Sequence, residues 1–480
     1  MTVAEISRDS DYDEESPLLA KPRRVPLPWS QLWIILVLQL AEPLTSQVIS
    51  PFTPQLIREI GITQGDETKV GYYVGMMQSL FFLAEAVTVL HWSRVSDRIG
   101  RKPVILLGLF GISLSMFSFG LSRTFVGLVI SRCLLGALNG NIGVIKSVMA
   151  ELTHPSNISL AYSYMPLAWA TGGTLGPMIG GSLSHPTERL PKLFGYSKFL
   201  KTYPYFLPCA VPASFALFAW FITFMYLKET VTSPQPISEL LKKPKAKIAL
   251  PEGGDSISAN EEAEKPPPLR SLLTWGVLVP AANYASLSLV DMSFRAILPL
   301  FYSTPIALGG LGLDPPTIGK ILSLYGILNG SCQIFFFARF HDRFGSKNTF
   351  TGGILAAFPC FAAFPLLSYL AQNGGLRGTV WLLVGLQTAL SIGMNFSYGA
   401  VFIFIQSAAP NRRSLGAVNG IAQMTVSVMR AIGPAAANSL FSLSIDKQYL
   451  GGRLVYYILI TMVGGATFVA TLLPRHVRSK

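Results

Sequence analysis

The sequence predicts an all-α membrane protein: twelve transmembrane helices in two pseudo-symmetric six-helix bundles. Three observations carry this. Hydrophobic residues make up 50% of the 480, and charged residues only 13%. That is about half the charged share of a soluble domain, and mean hydropathy is +0.45. Twelve apolar runs are each long enough to cross the hydrocarbon layer, which takes about 20 helical residues. A polar break then divides the runs six and six, and short motifs recur on both sides of it. Lipid offers no partners to backbone N–H and C=O groups, so runs of this kind must be helices.

Residues 1–28 are polar and acidic and are expected to form a disordered cytoplasmic tail. They lack the apolar core of a cleavable signal peptide, so the first run serves as its own insertion signal. Within the tail, Glu14-Glu15-Ser16-Pro17-Leu18-Leu19 is similar to an acidic dileucine sorting signal. It points to a vacuolar or lysosome-like membrane, with the plasma membrane as the alternative. The first bundle is expected over 29–228, with runs beginning near Trp29, Val70, Val104, Phe125, Leu160 and Tyr205 (spans 1 to 6). Residues 229–270 hold SPQP, KKPKAK, PEGGD and PPP. Such a stretch cannot bury a core and reads as a flexible cytoplasmic linker. The second bundle is expected over 271–473, with runs beginning near Leu272, Ile318, Phe350, Thr379, Leu415 and Leu454 (spans 7 to 12). Residues 474–480 form a short cytoplasmic tail.

The net charge of +13 would suggest nucleic acid in a soluble protein. Here Lys and Arg form no single patch, and no nucleic-acid signature interleaves them. They cluster between runs: Arg94, Arg98, Arg101 and Lys102; Arg339, Arg343 and Lys347; Arg412 and Arg413; Arg475, Arg478 and Lys480. These segments outweigh those of the other side, so the positive-inside rule places both termini and the linker in the cytoplasm. Cys133, Cys209, Cys332 and Cys360 have no metal or redox spacing and read as small apolar fillers.

Charges inside spans are costly and need a reason. Span 1 carries Glu42, near the midplane, with Pro43 after it to bend the helix. Span 2 carries Glu85. Span 4 carries Arg132 and, near its inner end, Lys146, which can snorkel. Span 7 carries Asp291 and Arg295, four apart and able to pair. Span 10 carries Gln387 and Asn395, and span 11 carries Arg430. Spans 3, 6, 9 and 12 carry none, so the repeating unit is three helices whose third member faces lipid. Each charged position has two readings. Glu42 and Glu85 are proton or substrate sites, or paired structural carboxylates. Arg132 is functional or ties helices together. Asp291 serves a cavity or is satisfied by Arg295 alone. Asn395 lines a cavity or bonds a neighbouring helix, and Arg430 reads as a brace of span 11. The aromatics Tyr164, Trp169, Tyr284 and Phe396 suit a cavity for lipophilic cations and equally suit packing.

Two motifs recur. SDRIGRK (Ser96 to Lys102) follows span 2 and HDRFGSK (His341 to Lys347) follows span 8. Gly176-Pro177 in span 5 is echoed by Gly433-Pro434 in span 11. Repeats of six spans are a signature of secondary transporters. Gly100 allows a tight turn, Arg101 and Lys102 anchor it at headgroups, and Asp97 can pair with Arg98 or accept bonds from a helix start. The second copy keeps Asp342, Arg343, Gly345 and Lys347, with Ser346 in place of Arg101. In span 5, Gly172, Gly176 and Gly180 are four apart, which permits close helix contact. Gly181 extends the run, and Pro177 removes a ladder bond.

HWSRVSDRIGRKPVILLG together with ATGGTLGPMIGG resembles the major facilitator superfamily, in particular its twelve-span drug:proton antiporter branch and fungal members. Asp97, Arg98, Gly100, Arg101 and Lys102 match the loop signature, with Ser93 where the pattern has Gly. The resemblance implies that this loop stabilises one of two alternating conformations by contacting the other half. It implies that Gly172, Gly176, Pro177, Gly180 and Gly181 mark an exporter. It also links Arg132, with Gly136 and Gly140, to proton transfer. The expected function is proton-coupled antiport of a small organic molecule, a drug-like compound, metabolite or metal chelate, with protons returning through Glu42 first, then Glu85 or Asp291. A nutrient symporter and a non-transporting sensor on the same fold are the alternatives.

No G-x-x-x-x-G-K-[ST] loop is present, so ATP is not expected to drive transport. The five histidines are scattered and no nucleophile sits beside a base, so no enzyme, metal or cofactor is expected. The expected partners are a small-molecule substrate, protons and the bilayer, with the chain monomeric. Asn157-Ile158-Ser159 fits a glycosylation acceptor but falls in a cytoplasmic loop and should be unused.

Overall fold

The computed structural model describes residues 26–153, 164–231, 273–408 and 415–474. The acidic tail with its dileucine, nearly all of the linker, the Asn157 sequon, Arg412 and Arg413, and the C-terminal tail lie outside these. A helix or helix pair lies over each of the twelve expected spans. They are Trp29–Val48, Val70–Ile99, Arg101–Leu121, Phe125–Leu138 with Asn141–Leu152, Met165–Leu183 and Phe206–Tyr226 in the first half. In the second they are Trp275–Ser303, Pro315–Phe335, Phe337–Leu355 with Ala357–Gly374, Gly378–Ala408, Leu415–Asp446 and Leu454–Thr471. Among the described residues, 8 of these helices are long and apolar enough to cross a membrane, or 9 if one bent pair counts as a span.

Three local departures have clear causes. Span 1 runs helical through Pro43. The sharp bend, 53° between Trp29–Val48 and the short helix Thr53–Ile60, falls instead where Pro51 and Pro54 remove two backbone donors. Span 4 breaks at Asn139 and Gly140. There the Trp92 indole of span 2 donates to the Ala137 carbonyl at 2.7 Å, and its side chain occupies the space that a Cβ on Gly140 would need. Spans 8 and 9 share the continuous stretch Phe337–Leu355, kinked at Gly345.

The repeat seen in the sequence recurs in the packing. Span 1 packs on 5 and 6, and 3 on 6; in the second half span 7 packs on 11 and 12, and 9 on 12. The halves meet chiefly through spans 5 with 8 and 2 with 11. Spans 3, 6, 9 and 12 stay outside that seam and present exposed apolar side chains such as Phe110, Phe221, Leu366 and Phe468, as their lack of charge predicts.

The glycines of span 5 divide their work between two neighbours. Gly172, Gly176 and Gly180 lie against Pro43, Gln47 and Val48 of span 1, in their own half. Contact with the other half falls to the next residues round the helix: Gly173 meets Gly326, and Pro177 and Gly181 meet Gly319. The four-residue stripe therefore fixes span 5 to span 1 rather than forming the seam between halves.

Candidate functional site

Glu42 sits half-buried in the middle of span 1. Its position is set by span 5, where a Cβ on Gly172 would come within 2.7 Å of Pro43. Glu85, also half-buried, is held by span 4, which presses Gly136 onto the backbone at Phe81 and Glu85. The two carboxylates feel each other's charge, and both feel Arg430 of span 11. The first half thus contributes two acids and the second half one base to a single locus.

The second half adds a hydrogen-bonded cluster. Arg295 Nε donates to Asp291 at 2.8 and 2.9 Å, forming the pair expected from the four-residue spacing. Asp291, 3% exposed, also accepts from the Tyr398 hydroxyl at 3.0 Å. Arg295 Nη2 donates to Asn395 Oδ1 at 3.1 Å and to Tyr325 Oη at 3.2 Å, and Asn395 Nδ2 donates to Tyr325 at 2.7 Å. Spans 7, 8 and 10 are tied together at this point. Tyr398 also faces Arg430, so the cluster abuts the Glu42–Glu85 locus. Tyr325 and Tyr398 carried no sequence signal beyond Tyr398 lying one turn from Asn395.

Arg132 is not part of this group. It is 4% exposed, with its guanidinium over Phe119 at 4.9 Å and Phe81 at 6.0 Å. Its Nε and Nη2 have no hydrogen-bond partner among the described residues. The titratable neighbour it feels is Cys209 of span 6, not Glu42 or Glu85. Its described surroundings lie on spans 2, 3 and 6, at Phe81, Phe119 and Cys209.

The two loop motifs share one backbone device. Gly100 has φ 107°, ψ 157° and Gly345 has φ 74°, ψ 166°, a region essentially confined to glycine. Arg101 is buried; its Nη2 donates to Glu151 at 2.9 Å and its Nη1 to Ser96 at 2.7 Å. The side chain of Asp97, which the sequence offers as a partner for an arginine or for a helix start, lies outside the described ones. At the start of span 3 the Arg101 and Lys102 N–H groups donate to Glu229, at 2.8 and 3.0 Å. Thr230 bonds Glu151 in turn. In the second copy Asp342 and Arg343 are exposed, as Arg98 is in the first. Lys347 donates to the carbonyls of Thr471, at 2.8 Å, and Leu473 beyond span 12. The described partners of both copies thus lie within their own halves.

The halves are tied toward the other face. Arg58, on the short helix Thr53–Ile60, donates to Ser303 Oγ at 3.1 Å and to the Ser303 carbonyl at 3.0 Å. The Ala435 N–H, next to Pro434, donates to Ser79 Oγ at 2.9 Å. Apart from this site, a largely apolar cavity of about 720 Å³ lies among spans 8, 9 and 10, lined by Phe336, Phe340, Phe344, Asn348, Gly353 and Phe396. Among the described residues no group of three or more His, Cys, Asp or Glu could hold a metal ion.

A sequence model described as Major Facilitator Superfamily matches residues 35–434. The chain belongs to that superfamily. It is 31% identical over 452 residues to the Arabidopsis thaliana protein ZINC INDUCED FACILITATOR-LIKE 1, covering 92% of this chain and 90% of that one. It is 29% identical to the major facilitator superfamily multidrug transporter mfsB of Aspergillus fumigatus, over 88% of this chain and 80% of that one. Its fold matches the crystal structure of a D-xylose-proton symporter with TM-score 0.68 at 16% identity, over 93% of this chain and 98% of the other. This superfamily member is therefore a multi-pass integral membrane transporter of small molecules and not an enzyme.

Proposed function

We propose that the protein is a proton-coupled antiporter that exports a small organic molecule from the cytosol by alternating access, with Glu42 and Glu85 carrying the proton. The observation that carries this reading is the placing of two carboxylates from spans 1 and 2 within electrostatic range of each other and of one arginine from the opposite half. With both acids ionised the locus bears one net negative charge, and a single proton or a monovalent cationic group neutralises it. Such a site exchanges one for the other without burying a net charge, which the bilayer interior penalises.

Alternating access is supported by where the halves touch. On the span 2–11 seam the close contacts are Gly71 with Asn438 and Ser442, Gly75 with Pro434 and Asn438, and Ser79 with Ala435. All lie in the part of those spans nearer Thr53–Ile60. The face with the two loop motifs bears Arg94, Arg98, Arg101, Lys102, Arg339, Arg343 and Lys347, so it is assigned to the cytoplasm. On that assignment the site opens toward the cytosol, the state that loads an exporter. The drug-like substrate class rests on the multidrug name of the Aspergillus fumigatus relative, and a vacuolar or plasma membrane on the tail signal.

The test uses proteoliposomes with an imposed pH gradient, a panel of fluorescent lipophilic cations, and a pH dye inside. Gradient-driven flux of at least one cation, lost in Glu42→Gln or Glu85→Gln while unfolding temperature is retained, is the expected result. Flux that ignores the gradient, or coupling intact in both variants, overturns the proposal.

A further inference from the structure

Spans 2 and 11 run antiparallel, and their contacts define a register. Gly71 lies against Ser442 and Asn438, Gly75 against Asn438 and Pro434, and Ser79 bonds Ala435. The same register, continued one to two turns toward the loop-motif face, brings Glu85 opposite Arg430. Arg430 is half-buried, and its Nε is enclosed without a hydrogen-bond partner among the described residues. The titratable groups that face it are Tyr284 of span 7, Tyr398 of span 10, Glu85 of span 2 and Glu42 of span 1. Among the described residues its own half offers it phenols, and one of these is engaged: Tyr398 donates to Asp291, whose two oxygens are held by Arg295. The carboxylates whose charge it feels belong to the other half. A brace of span 11 would pair within its own bundle, as Arg295 does.

We propose that Arg430 is a positioning residue for proton exchange, its guanidinium competing from one half with the proton for Glu85 and Glu42 of the other. This rests on the proton-antiport reading above. With the acids ionised, Arg430 bridges the seam between spans 2 and 11. When a proton adds to a carboxylate oxygen, the ion pair loses its anion and that seam loses its charged tie. The guanidinium keeps all its protons throughout, so the proton moves only between water and carboxylate. Proton binding and the parting of the halves thereby become one event.

Infrared titration of the protonated-carboxyl band, on the full chain in lipid nanodiscs without substrate, tests this. In the unaltered protein a component of the band titrates and is absent from Glu85→Gln or Glu42→Gln. In Arg430→Gln its midpoint moves to higher pH by about one unit or more, a tenfold change in proton affinity. Arg430→Lys, which keeps the charge, restores most of the shift and guards against misfolding of the neutral variant. A pure brace would leave the midpoint where it was. If the component titrates but neither Arg430 variant moves it, the role of Arg430 is overturned and the carboxylates stand. If no titrating component depends on Glu42 or Glu85, the antiport reading falls and this inference with it.

Discussion

The two copies of the loop motif turn the chain with the same glycine conformation yet anchor it by different chemistry. After span 2, a buried arginine and a helix start draw on two carboxylates, Glu151 and Glu229, and so bind spans 3, 4 and 6 into one corner. After span 8, Ser346 stands where Arg101 would be and bonds His341 at 2.8 Å, and one lysine meets the carbonyl end of span 12. A cation on a helix C-terminus needs no acid. The difference teaches that the glycine is the invariant part of the device. The charges around it are chosen by whichever helix end lies alongside. The first copy is the stiffer corner and depends on residues far apart in the chain, up to the edge of the linker.

The largest effect should come from Gly100→Ala. Both loop glycines occupy strained space, but a Cβ at Gly100 would also strike the Glu229 carboxylate, whereas at Gly345 nothing lies within 4 Å. Backbone strain alone costs of order 1–3 kcal/mol, and lost capping by Glu229 adds about 1 kcal/mol. Thermal unfolding in detergent should therefore rank Gly100→Ala clearly below Gly345→Ala. Equal losses would mean that the Glu229 cap contributes nothing.

Converting the first copy to the second is the next step. Arg101→Ser removes a charge-assisted bond to Glu151, which is partly exposed, at a cost of about 1–2 kcal/mol. Adding Glu151→Gln should cost little more, because the pair is already broken. Additive losses in unfolding temperature would show that Glu151 has a separate role.

The smallest effect lies on the opposite face. His185 Nε2 donates to the Glu59 carboxylate at 2.9 Å and lies 3.1 Å from the Tyr205 hydroxyl. Its bond with Glu59 holds its pKa above the ordinary 6.5. Such a group contributes stability that is fully present below about pH 6.5 and lost as pH climbs through the raised value. His185→Gln should lower the unfolding temperature by a few degrees at about pH 5.5, some 0.5–1 kcal/mol, and by much less at about pH 8.5. A penalty that grows with pH would reverse the sign and refute the ion pair.

Much of the fold was legible because lipid makes the rules strict: apolar length sets spans, and the uncharged spans 3, 6, 9 and 12 announce which helices stay outside the seam. The Asp291–Arg295 pair was legible from its spacing. What the sequence hid was lateral. Helix rotation decides that Arg132 faces Phe119 and that Arg430 faces the other half, and a lone charge in an apolar run does not encode its azimuth. The break in span 4 was hidden for the same reason, since Asn139-Gly140 yields only because Trp92 lies alongside. Glu229 was invisible as a cap because the helix start it serves is more than a hundred residues away in the chain.

Along spans 5 and 8 the halves meet through Gly173, Pro177, Gly181, Gly319 and Gly326, backbone against backbone. A surface made so largely of glycine and other small residues has few rotamers to repack when it slips. Friction there is low, and the pace of the cycle falls to whatever must be broken elsewhere: the Arg58 tie to Ser303, the Ala435 bond to Ser79 and the proposed charge tie of Arg430.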